Sequence, residues 1–431
     1  MNKNWQLVPL DKAVQINPSV RLKKGKIYPF VSMQSVKPGQ QWTDAQEWRE
    51  FSGGGARFQH GDTLMARITP SLEHGKITRF RGAEPDSVGF GSTEFIVFRG
   101  RPGVTNDDFV FYLIKSPLVH SYAVSQMTGT SGRQRVPTDS LKHLTIPLPS
   151  LTEQKAIAHI LGTLDDKIAL NRRMNATLEA IARALFKAWF VDFEPVRAKM
   201  SGRWQRGQSL PGLPAHLYDL FPDRLVPSEL GEIPEGWYIL SLDEIATYLN
   251  GIAWQKYRAK EGSPTLPVIK IRELRDGFSA ATNYTHTDVP QELIIQDGDI
   301  IFSWSGTLLV KIWTRGIGVL NQHLFKVVSD SYPKWFYYHW TLEYLKQFQG
   351  IASDKATTMG HIKRRHLSEA KVLAPQPELL TEMSDIMEPL LQKQIRISVE
   401  SRLLTQLRDT LLPRLLQGDL EVPTSNDNPT L

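Results

Sequence analysis

The sequence predicts a mixed α/β fold (α+β) built twice over. Two domains with twisted β-sheets are separated by two long helices that pair as an antiparallel coiled coil, giving an internal pseudo-two-fold repeat. Three observations carry this expectation. The order of elements recurs, the hydrophobic period lengthens after Pro149 and again after Pro375, and a stretch rich in Pro and Gly joins the copies.

Each copy opens with a tryptophan, an extended stretch and Leu-Asp: Trp5 to Leu10-Asp11, then Trp237 to Leu242-Asp243. Each has a Gly-Asp turn leading into an apolar strand, at Gly61-Asp62 and Gly298-Asp299, where Gly supplies a positive φ and Asp closes an Asx-turn. A second strand is entered from a polar turn, at Ser92 to Phe98 and Asn321 to Val327. Aromatic helix-like segments follow, Phe109 to Ile114 and Trp335 to Leu345. A Thr-rich loop with a basic cluster and a short strand ending in Pro close each copy, with strands at Leu144 to Pro149 and Ala370 to Pro375.

Past those prolines the apolar period becomes helical. Ile157, Leu161, Leu164, Ile168, Asn171, Asn175, Leu178, Ala182, Leu185 and Trp189 form one seam. Ile386, Leu390, Lys393, Ile397, Glu400, Leu404, Leu407 and Leu411 form the other. Each helix would run about 50 Å at 1.5 Å per residue. Thr152 is the expected N-cap of the first, and Thr381-Glu382 the start of the second. Such helices cannot leave an apolar stripe in water, and pairing with each other is the economical solution. The boundaries that follow are a first domain at 1–150, a helix at 151–193, a surface-wrapping linker at 194–235, a second domain at 236–376, a helix at 377–418 and a disordered tail at 419–431.

The 431 residues carry 51 Lys and Arg against 45 Asp and Glu, a net +6. The excess sits in the two sheet domains, with 19 basic against 12 acidic residues in 1–150 and 16 against 13 in 236–375. Two basic modules on one chain suit a polyanion gripped at two places. Cysteine is absent, which excludes disulfides and thiolate metal sites and fits a cytoplasmic protein. Met1 to Leu10 has no apolar run of signal-peptide type, and no apolar stretch is long enough to span a membrane.

In order and duplication the chain resembles the type I restriction–modification specificity subunits. The likeness is carried by Gly61 to Pro70, Gly89 to Phe95, Ala184 to Phe193, Leu230 to Trp237, Ser303-Trp304-Ser305-Gly306 and Leu411 to Leu416, and it covers residues 1–422. The resemblance implies two target recognition domains, each reading half of an asymmetric, interrupted double-stranded DNA site, with the helices as spacer. It implies two methyltransferase subunits and two ATP-driven restriction subunits as partners. S-adenosylmethionine, ATP and Mg would belong to those partners, and this chain would bind no cofactor or metal and bring no catalytic group. Physically, base edges are read by Arg, Lys, Asn and Gln while phosphate contacts set register, and a spacer presents the second module at high effective concentration.

Candidate DNA contacts come first from the loop Thr128 to Arg135, where Thr130, Ser131, Arg133, Gln134 and Arg135 combine hydroxyls, an amide and guanidinium groups. Its counterpart, Thr357 to Arg365, offers His361, Lys363, Arg364 and Arg365. The same composition also suits a Thr-capped helix start with solvated charges. Arg57, Arg67, Lys256 and Arg258 are further candidates; Lys270, Arg272 and Arg275 alternate along an expected strand, where plain surface placement fits equally well. Trp189, Phe190 and Phe193 end the first long helix as core residues or as a docking site for a methyltransferase subunit.

Enzymes acting on DNA find little support. No Asn/Asp-Pro-Pro-aromatic tetrapeptide is present, and Asn17-Pro18-Ser19 does not supply one. Gly25-Lys26-Ile27 and Gly75-Lys76-Ile77 lack the hydroxyl that a phosphate-cradling loop needs. Asp165-Asp166-Lys167, the nearest approach to a nuclease cluster, reads as a solvated helix face. A pure coiled-coil adaptor would leave the two basic modules without a purpose.

Overall fold

The computed structural model describes residues 5–130, 132–258, 262–354 and 360–422. It divides into two compact units, one made of Met1–Leu170 with Leu403–Leu431, the other of Asn171–Arg402. Both long helices pass from one unit into the other, since they span Leu151–Phe190 and Pro377–Leu416. Compactness thus divides the chain differently from the boundaries read in the sequence. Each helix half is packed into the core of a sheet domain and is not part of a separate rod-like body.

In the first unit, Gln6–Pro9 pairs antiparallel with Thr145–Leu148, so the two ends of the domain are tied before the long helix begins. A five-stranded sheet has the order Val14–Ile16, Phe95–Gly100, Thr63–Ala66, Ile77–Arg81, Trp42–Asp44. A four-stranded sheet runs Glu47–Glu50, Ile27–Val31, Val88–Gly91, Ala56–Gln59, and its central pair is parallel. Thr63–Ala66 is buried throughout, as an interior strand must be. The helix Asp107–Lys115 is capped by Asn106 and buries Phe109 to Ile114 against Met65, Ile96 and Phe98, and Ile157, Ala158 and Leu161 of the long helix join the same core.

The second unit repeats this plan. Tyr238–Ser241 pairs with Lys371–Ala374; one sheet runs Thr247–Asn250, Leu324–Val328, Ile300–Ser303, Val310–Ile312; the other runs Tyr284–His286, Thr265–Ile269, Gly318–Leu320, Ile294–Ile295, again with a parallel central pair. Both Gly-Asp turns form with the expected positive φ at Gly, but the Asp side chains close them backwards and not as Asx-turns. Gly61 and Gly298 adopt φ of +89° and +94°, and Asp62 and Asp299 each accept a 2.8 Å bond from the backbone N–H three residues earlier. Each carboxylate also takes a cation from the neighbouring strand, Arg99 for Asp62 and Lys326 for Asp299.

The helices meet antiparallel within each unit. In the second unit, Asn171 Nδ2 donates to Glu400 Oε2 at 2.9 Å and Asn175 Nδ2 to Ser398 Oγ at 2.7 Å, so one number rises as the other falls. In the first, Arg408 Nη1 donates to Asp165 Oδ1 at 2.5 Å, and Tyr112 Oη donates to Asp165 Oδ2 at 3.0 Å. This corrects the solvated reading of Asp165. Its side chain is 3% exposed and Arg408 4%, because that face of the helix turns toward its partner.

Four other expectations are corrected. The cap of the first helix is not Thr152: Ser150 and Glu153 exchange side-chain and backbone bonds in a capping box. The second helix starts at Pro377, ahead of Thr381, with proline in the first turn where a missing N–H costs nothing. Its buried stripe is Met383, Met387, Leu391 and Ile397; Lys393 is exposed and Leu407 is 48% exposed, one residue out of the expected register near its start. That stripe follows the domain core, which takes Met383, Met387 and Leu391. Finally, 194–235 is more than a surface linker. It holds the helix Glu194–Met200, a 3-10 turn at Ala215–Leu220 and a hairpin of Leu225–Ser228 with Gly231–Pro234. Its prolines and glycines mark turns, while Trp204, Leu217 and Phe221 between them are buried in the core of the second unit. Residues 423–431, most of the expected tail, lie outside the described residues.

Candidate nucleic-acid interface

In each unit the two antiparallel strands after the Gly-Asp turn and the polar turn end at one corner, and the basic loop returns to close it. In the first unit Val136 N–H donates to Arg67 O at 2.9 Å, and Arg135 bridges to Ile68 and to Thr128. In the second, Ile362 N–H donates to Trp304 O at 3.0 Å, and His361 bridges to Ser305. Arg67 follows Thr63–Ala66 as Trp304 follows Ile300–Ser303; Glu94 precedes Phe95–Gly100 as His323 precedes Leu324–Val328. Backbone pairing therefore assigns three matched positions: Arg67, Glu94 and Arg135 in one unit, Trp304, His323 and His361 in the other.

Ion pairing fills the first corner. Arg135 Nε and Nη2 grip Glu94 Oε1 at 3.0 and 2.7 Å, and this bond holds the guanidinium above its ordinary pKa. Arg67 is half-buried and donates through Nη2 to Val136 O at 2.8 Å, while its buried Nε has no acceptor among the described residues. Beside it lies a cleft of 490 Å³ bordered by Asn17, Arg57, Arg67 and Thr93. Arg57 is exposed, stacks 5.0 Å from the Phe51 ring and donates to Gly53 O at 3.2 Å. Thr130 and Arg133 are exposed at the loop tip, Gln134 is half-buried, and Ser131 lies outside the described residues.

Aromatic rings fill the second corner. Trp304 lies 5.9 Å from His323, 5.8 Å from Phe325 and 6.3 Å from His361, and its Nε1 donates to Asn250 Oδ1 at 3.1 Å. Ser305 Oγ and His323 Nδ1 are 3.0 Å apart. Arg364 reaches Tyr248 O and stacks over Phe325; Lys363 and Arg365 are exposed, the latter near Glu369 at 4.0 Å. Arg258 and Lys270 flank the Trp254 ring, each at 5.9 Å, and Lys256 is exposed on the 3-10 turn Trp254–Tyr257.

Two groups of candidates are corrected. Lys270 and Arg272 do not alternate on a strand: Lys270 precedes the short helix Ile271–Asp276, and Arg272 donates to Glu273 Oε1 and Ala281 O, each at 2.6 Å. These bonds tie the helix to the following loop. Trp189, Phe190 and Phe193 are 1, 1 and 9% exposed, so no partner can dock on them. Phe190 packs against Phe186, Trp237 and Phe336 at 4.9 to 5.4 Å, which places the helix end inside the core of the second unit. Asn17, Thr93 and Asn250 were not selected from sequence, although Thr93 stands in a segment that the repeat had already aligned.

The doubled domain has a counterpart among known proteins. The model of the type I restriction modification DNA specificity domain matches the chain twice, over residues 13–180 and 234–405. The chain belongs to this family. As a specificity-domain protein it is 26% identical over 407 residues to the type I restriction enzyme HindI specificity subunit of Haemophilus influenzae, covering 84% of this chain and 87% of that one. It is 33% identical over 165 residues to the EcoEI specificity subunit of Escherichia coli, 37% of this chain and 27% of the other. The crystal structure of the type I restriction–modification S subunit from M. genitalium aligns over 96% of both chains with a TM-score of 0.55 at 16% identity, which is a likeness of fold. No helix among the described residues is long and apolar enough to cross a membrane.

Proposed function

We propose that this chain is the DNA-reading subunit of a type I restriction–modification complex, with each unit recognising one half of a bipartite, asymmetric double-stranded site. The observation that carries the reading is the duplicated corner: one backbone plan, used twice, presenting different polar side chains. A common scaffold with exchangeable contacts is what reading two unlike half-sites requires. The long helices, which are continuous through both units, then set the number of unread base pairs between the halves. Two methyltransferase subunits bring S-adenosylmethionine, two restriction subunits bring ATP and Mg, and the chain itself brings no catalytic group and binds no cofactor. Genomic DNA as target implies a cytoplasmic location.

The decisive experiment exchanges residues 1–150 for those of a relative and reads the methylated motif of the assembled methyltransferase by single-molecule sequencing. One half of the motif should change and the other persist. A change in both halves would refute independent reading. Inserting a heptad-scale segment near Asn171 should lengthen the unread gap while both halves stay intact.

A further inference from the structure

The base of the loop between Thr128 and Arg135 has its backbone pinned by hydrogen bonds. Thr128 and Arg135 exchange backbone bonds of 3.0 and 2.8 Å; Thr69 N–H donates to Gln134 O, and Gln134 N–H donates to Thr69 Oγ1, both at 3.0 Å. Arg135 spends its guanidinium on Glu94, and Arg67 gives Nη2 to Val136 O. Two neighbouring side chains remain. Arg133 is exposed and Gln134 half-buried, and neither has a side-chain partner among the described residues.

A guanidinium beside an amide on a fixed base is a donor–acceptor pair matched to purine edges: Arg spans guanine O6 and N7, and Gln spans adenine N6 and N7. A phosphate would be served as well by a mobile Arg and would gain little from a neutral amide. Rigid placement is what base discrimination adds. We propose that Arg133 and Gln134 are specificity-determining residues of the first unit, reading a guanine and an adenine, and that Glu94 is a positioning residue that holds them through Arg135. The proposal rests on the DNA-reading function above and assigns it to particular atoms. It also removes Arg135 from the direct contacts.

The test uses the full chain assembled with its methyltransferase subunit, and duplexes carrying the motif that the wild-type complex methylates. Arg133→Ala and Gln134→Ala should each lose roughly 5- to 150-fold discrimination at one base pair, both in the same half-site, with the other half read normally. Glu94→Gln should relax both positions without lowering the melting temperature, and Glu94→Asp, which keeps the carboxylate, should restore part of the stringency. If Arg133→Ala weakens binding evenly on all duplexes and lowers the salt slope by about one, it is a phosphate contact and the proposal falls. Unchanged stringency in both alanine variants would overturn it while leaving the DNA-reading function intact. A wild-type complex that marks no motif would sink both.

Discussion

The two corners share a backbone and differ in nearly every side chain that lines them. In the first unit Arg135 and Glu94 neutralise each other at 2.7 Å beside a half-buried Arg67. In the second, Trp304 sits among His323, Phe325 and His361. Neither set is needed for the strand pairing, which runs through backbone groups and through buried residues such as Leu64 and Ile301. What the difference teaches is that this position is structurally free. A scaffold whose strands are satisfied elsewhere can change the chemistry at their ends without refolding.

The largest expected effect lies in how each unit holds its helix pair. Arg408→Met leaves Asp165 charged, 3% exposed and without its cation, so the first unit should lose about 3–5 kcal/mol. Hydrogen exchange resolved by unit should show that loss in the first unit alone, with Asp165→Leu restoring stability to the double variant. In the second unit, where the amides of Asn171 and Asn175 hold the helices, Asn171→Leu should cost less, about 2 kcal/mol, because it removes the bond to Glu400 together with a carbonyl oxygen that has no partner among the described residues. Equal losses in both would erase the contrast.

Acid should separate the units next. His339 is buried against Phe186, and burial pushes its imidazole down to about 4. The folded state therefore refuses a proton that the unfolded chain accepts below about 6.5. Stability is complete above that value and falls as the pH drops from about 6.5 to 4, by about 3 kcal/mol. Denaturant titrations of the second unit's exchange across that window should follow this slope, and His339→Phe should flatten it. A slope that survives the substitution would place the acid sensitivity elsewhere.

Smaller effects are expected at the corners themselves. Trp304→Ala removes half-buried ring packing and should cost about 2 kcal/mol in the second unit. Glu94→Ala removes an ion pair whose Arg135 side is 45% exposed, and should cost the first unit less than that. Thermal unfolding of the two variants should rank them in that order. The reverse order would mean that Glu94 anchors the fold as well as the loop.

Repetition and periodicity made the larger plan legible. The Gly-Asp turns, the paired strands and the first helical seam through Ile157, Leu161 and Ile168 follow from local chemistry, which the chain writes twice. The finer placements depended on what each element meets in space. Asp165 looks solvated by its neighbours Asp166 and Lys167, and only Arg408, far along the chain, makes it a buried ion pair. Trp189 and Phe190 fit a core or a docking face equally until the rings of Trp237 and Phe336 settle them as core.

For the site, composition singled out the loop at 128–135 because flexible glycines, an amide and guanidinium groups are rare together. Composition could not rank its cations. Arg133 and Arg135 are alike in sequence, and the carboxylate that distinguishes them, Glu94, arrives from a strand turn some forty residues earlier. By itself the sequence determined that there are two copies, where most of their strands and helices fall, and which loops gather polar and basic side chains. The tertiary structure alone decided which charges are already spent, because hydrogen bonds between distant segments exist only once the sheets have closed.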